Sequence, residues 1–261
     1  SLVAWRMVLL LFDAGTLALL LLLLRQLKLP SLWAAIYWWN PLLIQQSVNA
    51  AHMDVLALPF VLGALLLTLR ARPVWGIALL SLAAGVKLWP LILLPFLFRP
   101  ILSAPRRLAC AVAIAAAILS LLTWPAACGV LGPGSGFAAY AERWEMNDAL
   151  FMATLYGIRV ALGWLGSPDL APAVARILTL GLLAVWIAWL AWRPMTAAAD
   201  MAERMLLAVA GLFLLSPAQF PWYSLWLLPL LALRPRLSLL LLTALLPLFH
   251  LRFYFDVRND V

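Results

Sequence analysis

The chain is short of almost everything that a soluble enzyme displays. Of 261 residues 11% are charged, with 10 acidic side chains, 2 histidines and 2 cysteines. No CxxC or HExxH spacing occurs, and there is no GxGxxG or P-loop to cradle a nucleotide phosphate. Internal repeats are not apparent either. Cys110 and Cys128 bracket an apolar run that as a helix would hold them about 25 Å apart, beyond disulfide reach, so both read as packing residues. Charge of one sign is also missing in concentrated form. The net +8 comes from 18 Lys and Arg placed singly between apolar runs, which are topology determinants and not a phosphate-binding stripe, so nucleic acid is discarded as a partner.

What is present is apolar. The chain is 67% hydrophobic with a mean hydropathy of +1.05, more than a soluble core of this size could bury. Apolar runs of roughly 17 to 25 residues, long enough to cross about 30 Å of hydrocarbon, recur from end to end. The fold class expected is all-α, a polytopic transmembrane helical bundle with re-entrant and half-span hairpins, and residues 1–261 form one transmembrane domain. The chain begins at Ser1 without an initiator Met, has no signal-peptide pattern and stops at RFYFDVRNDV, and is expected to be a fragment of a longer membrane protein.

Basic residues between spans set the orientation, because short cytoplasmic loops are enriched in Lys and Arg. Arg25 with Lys28, Arg70 with Arg72, Arg99 with Arg106 and Arg107, Arg193, and Arg234 with Arg236 all fall on the cytoplasmic side. Residues 5–24 then run inward, 31–48 outward and 54–69 back. Residues 73–98 have basic residues at both ends and are too few for two spans, so they form a re-entrant hairpin broken by Pro90, its tip near Lys87 to Pro90. Residues 108–124 go out, 125–170 make an external loop, 171–192 return, 204–218 go out, 222–233 return as a half-span and 237–250 end outside. Within the loop FMATLYGIRVALGWLG reads as an interfacial helix.

This topology uses only the basic loops, yet it gathers the unusual polar residues on the outer face. They are Asn49, His52 and Asp54, then Lys87, then Arg143, Glu145, Asn147 and Asp148, then Gln219, Trp222 and Tyr223, and finally His250, Arg252 and Tyr254. Broken helices and polar groups at one depth build a cavity. Trp and Tyr at 33–39 and 222–226 also suit an aromatic belt, and mid-span Asp13 is either functional or paired with another helix. Lys87 is expected to be a lone cation without a protein carboxylate. A buried cation with extra arginines and few acids suits a phosphate-bearing amphiphile, Lys87 as a point charge with Arg143 or Arg252 as a bidentate fork and the apolar hairpin against the lipid tail.

In order along the chain, YWWNPLLIQQSVNAAHMD, GVKLWPLILLP, ERWEMNDALF and PWYSLWLLPLL resemble the polytopic GT-C glycosyltransferases, and look closest to bacterial polyprenol-phosphate-mannose-dependent mannosyltransferases. The resemblance implies a GT-C-like bundle in a bacterial plasma membrane that moves a hexose, mannose above all, from a polyprenyl-phosphate sugar donor to a lipid or glycan acceptor outside the cytoplasm, with inversion at the anomeric carbon. The family's Asn-Pro and His-x-Asp elements correspond to Asn40, Pro41, His52 and Asp54, its Lys-x-x-Pro element to Lys87 and Pro90, and its Pro-Trp-Tyr element to Pro221, Trp222 and Tyr223. The family's catalytic acid normally stands in a first external loop that nothing here matches; Ser1 is expected to start just after it.

The site expected has Asp54 as base with His52 beside it. Lys87, Arg143 and Arg252 take the donor phosphate, and Asn49, Trp222, Tyr223, Asn147 and Gln219 take sugar or acceptor. Enzymes of this type can use a divalent metal, but the acidic cluster for one is not evident, and no cofactor is expected. Membrane lipids are partners by default. Two other classes fit less well: a flippase of lipid-linked sugars, which would show internal pseudo-symmetry, and a structural envelope subunit, which leaves Lys87 unexplained.

Overall fold

The computed structural model describes residues 1–129, 146, 149–251 and 255, the side chains at 125–127 and 129 excepted. Among the described residues the protein is all helical, with twelve α-helices and no strand.

The first helix, α1 (Leu2–Gln26), is a leucine-rich span opened by the Ser1 hydroxyl, which accepts from the Ala4 N–H. Residues 31–48, expected as a second span, are instead broken twice. A 3-10 turn (Ser31–Ala34) leads into α2 (Ala35–Trp38). Asn40 then caps a fresh start, its side chain accepting from Leu42 N–H at 3.0 Å with Pro41 at the first helical position, and α3 (Pro41–Leu43) widens into a π-helical segment (Ile44–Asn49). The Asn-Pro pair is thus a cap-and-start signal, which is why an apolar run of span length does not cross as one rod.

The chain next turns through 103° between Pro41–Asn49 and Met53–Leu69. Ala51 makes the corner at φ 58, a left-handed conformation that costs an L-residue about 1–2 kcal/mol. After a 3-10 turn (Met53–Ala57), α4 (Leu58–Leu69) packs antiparallel on α5 (Pro73–Val86). Their approach is close because Gly76 has no side chain: a Cβ there would lie 2.7 Å from the Ala64 carbonyl oxygen and 2.5 Å from Thr68 Oγ1.

A 3-10 turn (Trp89–Leu93) and the short α6 (Leu94–Phe98) complete the broken hairpin expected over 73–98. Then come α7 (Pro105–Gly129), α8 (Ala149–Trp164), α9 (Ala171–Trp192) and α10 (Ala198–Leu215). A 3-10 turn (Pro221–Trp226) feeds α11 (Leu228–Leu233), and α12 (Leu237–Leu245) precedes a last 3-10 turn (Leu246–His250). Three stretches are long and apolar enough to cross a membrane, Leu2–Gln26, Pro105–Trp124 and Pro168–Trp192.

The half-span expected at 222–233 is the centre of the core: Leu227 to Leu233 are all buried. The long helices lie outside it, with 11% of the most apolar 18 residues of Pro105–Trp124 and 22% of those of Pro168–Trp192 buried, as suits faces turned to lipid. Cys110 and Cys128 are both free, both exposed and both on α7.

The five basic junctions meet at one end. Arg70 donates to the Gln26 side chain at 3.2 Å, Arg72 and Arg107 line one small cavity, and Arg99 donates to the carbonyls of Ala191 and Arg193. Arg204, 8% exposed, caps the end of α9 through the carbonyls of Leu190, Arg193 and Pro194, while Glu203 holds Arg234 and Arg236. Away from this end, Trp5 donates to the Ala51 carbonyl at 3.0 Å, Arg6 to the Asn49 carbonyl at 2.9 Å, and Gln46 meets His250 at 2.9 Å.

Candidate active site

Helix α5 stops at Val86, and Lys87 leaves it in extended conformation (φ −157, ψ 141). Pro90 explains the stop: it has no N–H, and in a continued helix its ring would meet the carbonyl four residues back, that of Val86. The break puts the Lys87 ammonium beyond the helix end instead of along its side.

The partner of that ammonium is Asp54. Lys87 Nζ lies 2.5 Å from Asp54 Oδ1, bridging 33 residues of sequence. Asp54 is 2% exposed, whereas the Lys87 side chain keeps 27% of its surface. The expectation of a lone cation is therefore corrected. The 103° bend carries the Met53–Ala57 turn against the end of α5, so a carboxylate on the neighbouring element already neutralises the charge. The depth of Lys87 is by itself no argument for a ligand.

Trp226 Nε1 donates to the same Asp54 Oδ1 at 2.7 Å. The oxygen of Asp54 that faces the pair is thus occupied by a cationic and a neutral donor. That arrangement makes Asp54 the counter-ion of Lys87, while its other oxygen, Oδ2, takes neither donor. From the sequence Trp226 reads as part of an aromatic belt. The spacing of Tyr223 and Trp226, three residues apart and so on one face of a 3-10 turn, is the signal that marks it as part of the site.

Aromatic rings wall the ion pair. Lys87 Nζ stands 4.2 Å from the centroid of Tyr223 and 5.2 Å from that of Trp226, within cation–π range of both. Tyr223 stacks on Trp226 at 4.7 Å, and Trp226 stacks on Trp89 at 5.0 Å. A second stack, His52 on Trp222 at 4.2 Å and Trp222 on Phe220 at 4.5 Å, meets Tyr223 edge-on. His52 sits in the 49–53 turn, outside the apolar runs. Burial lowers its imidazole pKa, opposed by Asp54 and reinforced by Lys87 and His250. Among the described residues its ring nitrogens make no hydrogen bond.

Beside the pair opens a cavity of about 360 Å³. Lys87 is its charged wall, and Leu88, Trp89, Ile92, Leu212 and Phe213 give it an apolar lining. Tyr223 lines it too, while Trp222 stacks on His52 and is not part of the lining.

The remaining expected residues are distributed differently. Asn49 is exposed, donating to the Gln45 side chain at 3.1 Å. Gln219 is 8% exposed and its amide donates to the carbonyls of Leu214 and Ser216 at 3.0 and 3.3 Å, so it caps the end of α10. The Gln219 backbone does meet the excursion, since its N–H donates to the Met146 carbonyl and the Met146 N–H to the Pro217 carbonyl. Arg143, Asn147 and Arg252 lie outside the described residues, as do Glu145, Asp148 and Tyr254.

Asp13 is a structural carboxylate. At 2% exposed it accepts from the Tyr37 hydroxyl at 2.6 Å and the Ser47 hydroxyl at 2.5 Å, tying α1 to α2 and to the π-helical segment.

A family model described as alpha-(1->6)-mannopyranosyltransferase, N-terminal domain, matches residues 1–102. Nothing matches among curated proteins or solved structures. The matched segment contains Asn40, His52, Asp54 and Lys87 but ends well before Trp222, and it supports a relationship to mannosyltransferases and a mannosyl-transfer function.

Proposed function

We propose that the protein moves a mannosyl unit from a polyprenyl-phosphate donor to a lipid or glycan acceptor, at the membrane face opposite the basic loops. One observation carries this reading: Lys87 is the charged wall of a cavity lined mostly by apolar and aromatic side chains, with Ser216 and Tyr223 bringing hydroxyls. An ammonium has three donors, and Asp54 engages one of them. The exposed remainder suits an anionic group whose apolar chain follows the cavity. The family match over residues 1–102 supplies the sugar.

As the bond between the anomeric carbon and the phosphate oxygen breaks, negative charge grows on the phosphate. A fixed ammonium in a water-poor wall stabilises that charge without reorganising. Asp54 holds Lys87 in place, and Trp226 holds Asp54. The proton of the attacking hydroxyl must go to a base, and the cluster offers His52, whose pKa burial lowers and whose ring nitrogens make no hydrogen bond among the described residues, beside Asp54 Oδ2. Inversion follows if the hydroxyl attacks opposite the phosphate.

The test is to incubate the protein in lipid nanodiscs with polyprenyl-phosphate [¹⁴C]mannose and an acceptor-containing membrane extract. Label in a new covalent product supports transfer. Label recovered only as intact donor on the other leaflet of a sealed vesicle would replace this reading by transport.

A further inference from the structure

Helices α4 and α5 are joined by the short corner Arg70 to Arg72, in which Ala71 takes φ 58. This corner and the first turns of α5 and α7 enclose a cavity of about 280 Å³, lined by Ala71, Arg72, Pro73, Val74, Trp75 and Arg107. The two arginines come from separate elements, and both are exposed. Among the described residues neither guanidinium makes a hydrogen bond or an ion pair.

Other cations at this end of the bundle are engaged. Carbonyls hold Arg99 and Arg204, Glu203 holds Arg234 and Arg236, and Arg70 turns to the neutral side chain of Gln26. Arg72 and Arg107 have no such recourse nearby in sequence, because the chain carries no acidic residue between Asp54 and Glu142. Two like charges bordering one cavity repel. A phosphate between them would reverse the sign of that interaction and take charge-assisted hydrogen bonds from both planar forks.

Two features identify the phosphate as that of a lipid. Trp75, 64% exposed, lines the cavity, and an exposed indole at the end of an apolar helix belongs at headgroup depth. Helix α7 leaves the cavity with 11% of its most apolar 18 residues buried, so apolar surface for acyl chains continues from Arg107 into the bilayer. A soluble anion would use neither. The cavity also stands apart from the candidate active site, since Arg72 and Lys87 flank opposite ends of α5, 14 residues or about 20 Å long.

We infer that this cavity seats the phosphate of an anionic phospholipid from the leaflet at the basic end, with Arg72 and Arg107 as its paired donors. Basic pockets between membrane helices are suited to such headgroups. The lipid is a bound partner and not a substrate, so the inference stands independently of the function proposed above.

The test titrates dioleoylphosphatidylglycerol into detergent-purified protein and reads bound lipid by native mass spectrometry. The wild type is compared with Arg72→Gln, Arg107→Gln, their double variant and Arg193→Gln. Arg193 is exposed at the same end but does not line the cavity, so it controls for charge alone. Each cavity variant should bind about fivefold more weakly and the double variant roughly twenty-five-fold, while Arg193→Gln binds as the wild type does. No loss in the double variant, or an equal loss in Arg193→Gln, would overturn the site. Phosphatidylcholine, whose phosphate is balanced by its own choline, should bind no better to the wild type than to the double variant; a clear difference would overturn the requirement for net charge. Millimolar inorganic phosphate should displace no more lipid than chloride of equal ionic strength, and greater displacement would reassign the cavity to a soluble anion. Should a variant fail to fold, a phosphatidylglycerol with a headgroup diazirine decides the matter in the wild type: cross-links at 71–75 or 105–107 support the site, and cross-links confined elsewhere refute it.

Discussion

Replacing Lys87 alone is a poor test of its function, because it leaves the Asp54 carboxylate at 2% exposure with Trp226 as its remaining donor. Breaking a buried ion pair from one side costs about 3–5 kcal/mol. The Lys87 side chain is 27% exposed, so solvent screening reduces this to about 2–3 kcal/mol. Loss of the cation–π contact with Tyr223 adds about 0.5–1 kcal/mol. At about 2–4 °C per kcal/mol, Lys87→Met should lower the Tm of the detergent-solubilised protein by roughly 5–16 °C. Asp54→Asn still accepts from Trp226 but forfeits the charge, and should cost about 1.5–3 kcal/mol.

The double variant Lys87→Met with Asp54→Asn removes both charges at once. Its loss should fall at least about 1.5 kcal/mol short of the sum of the single losses, the signature of coupled neighbours. Mannosyl transfer should nevertheless remain abolished. Thermal unfolding by size-exclusion chromatography reads the first quantity and label transfer the second. Strictly additive Tm losses would refute the pair, and a double variant with wild-type transfer would refute the role of Lys87.

Other outcomes follow from the same contacts. With His52 held below its usual pKa by burial, the acid limb of kcat/KM should fall below about pH 6.5, and His52→Gln should remove that limb; an unchanged limb means that another group titrates. Asp13→Leu orphans the Tyr37 and Ser47 hydroxyls and should cost about 2–4 kcal/mol, with activity per folded molecule preserved. Gly76→Ala should destabilise by about 1–3 kcal/mol because its Cβ meets the Ala64 carbonyl, whereas Gly157→Ala meets nothing within 4 Å and should be neutral or stabilising in the same unfolding assay. Cysteines at positions 50 and 220 should react with an impermeant maleimide from outside the cell and those at 71 and 235 should not; the reverse pattern inverts the orientation.

The break at Lys87 was legible in the sequence because its cause is local: a proline acts on the carbonyl four residues behind it. The gathering of the basic junctions was legible because every apolar run ends in Arg or Lys, and the structure joins those ends through Arg70, Arg99, Arg204 and Glu203. The ion pair was not legible, since Asp54 reaches Lys87 only through the corner at Ala51, an alanine in a glycine-like conformation that composition does not announce. The same limit explains Gln219. A glutamine after a helix reads equally as a ligand-facing amide or as a cap, and only the path of residues 214–219 decides for the cap. Residues 31–48 misled because their hydropathy is that of a span, while the Asn40–Pro41 restart is a two-residue signal that hydropathy averages away.

The most direct measurement is equilibrium binding of sugar-free polyprenyl phosphate to the wild type and to the Lys87→Met, Asp54→Asn double variant, both confirmed folded in nanodiscs. The wild type should bind saturably and more weakly as salt rises, and the double variant should bind at least about tenfold more weakly, as loss of a charge-assisted contact requires. Equal affinity in the two proteins would contradict the assignment of Lys87 to the lipid phosphate.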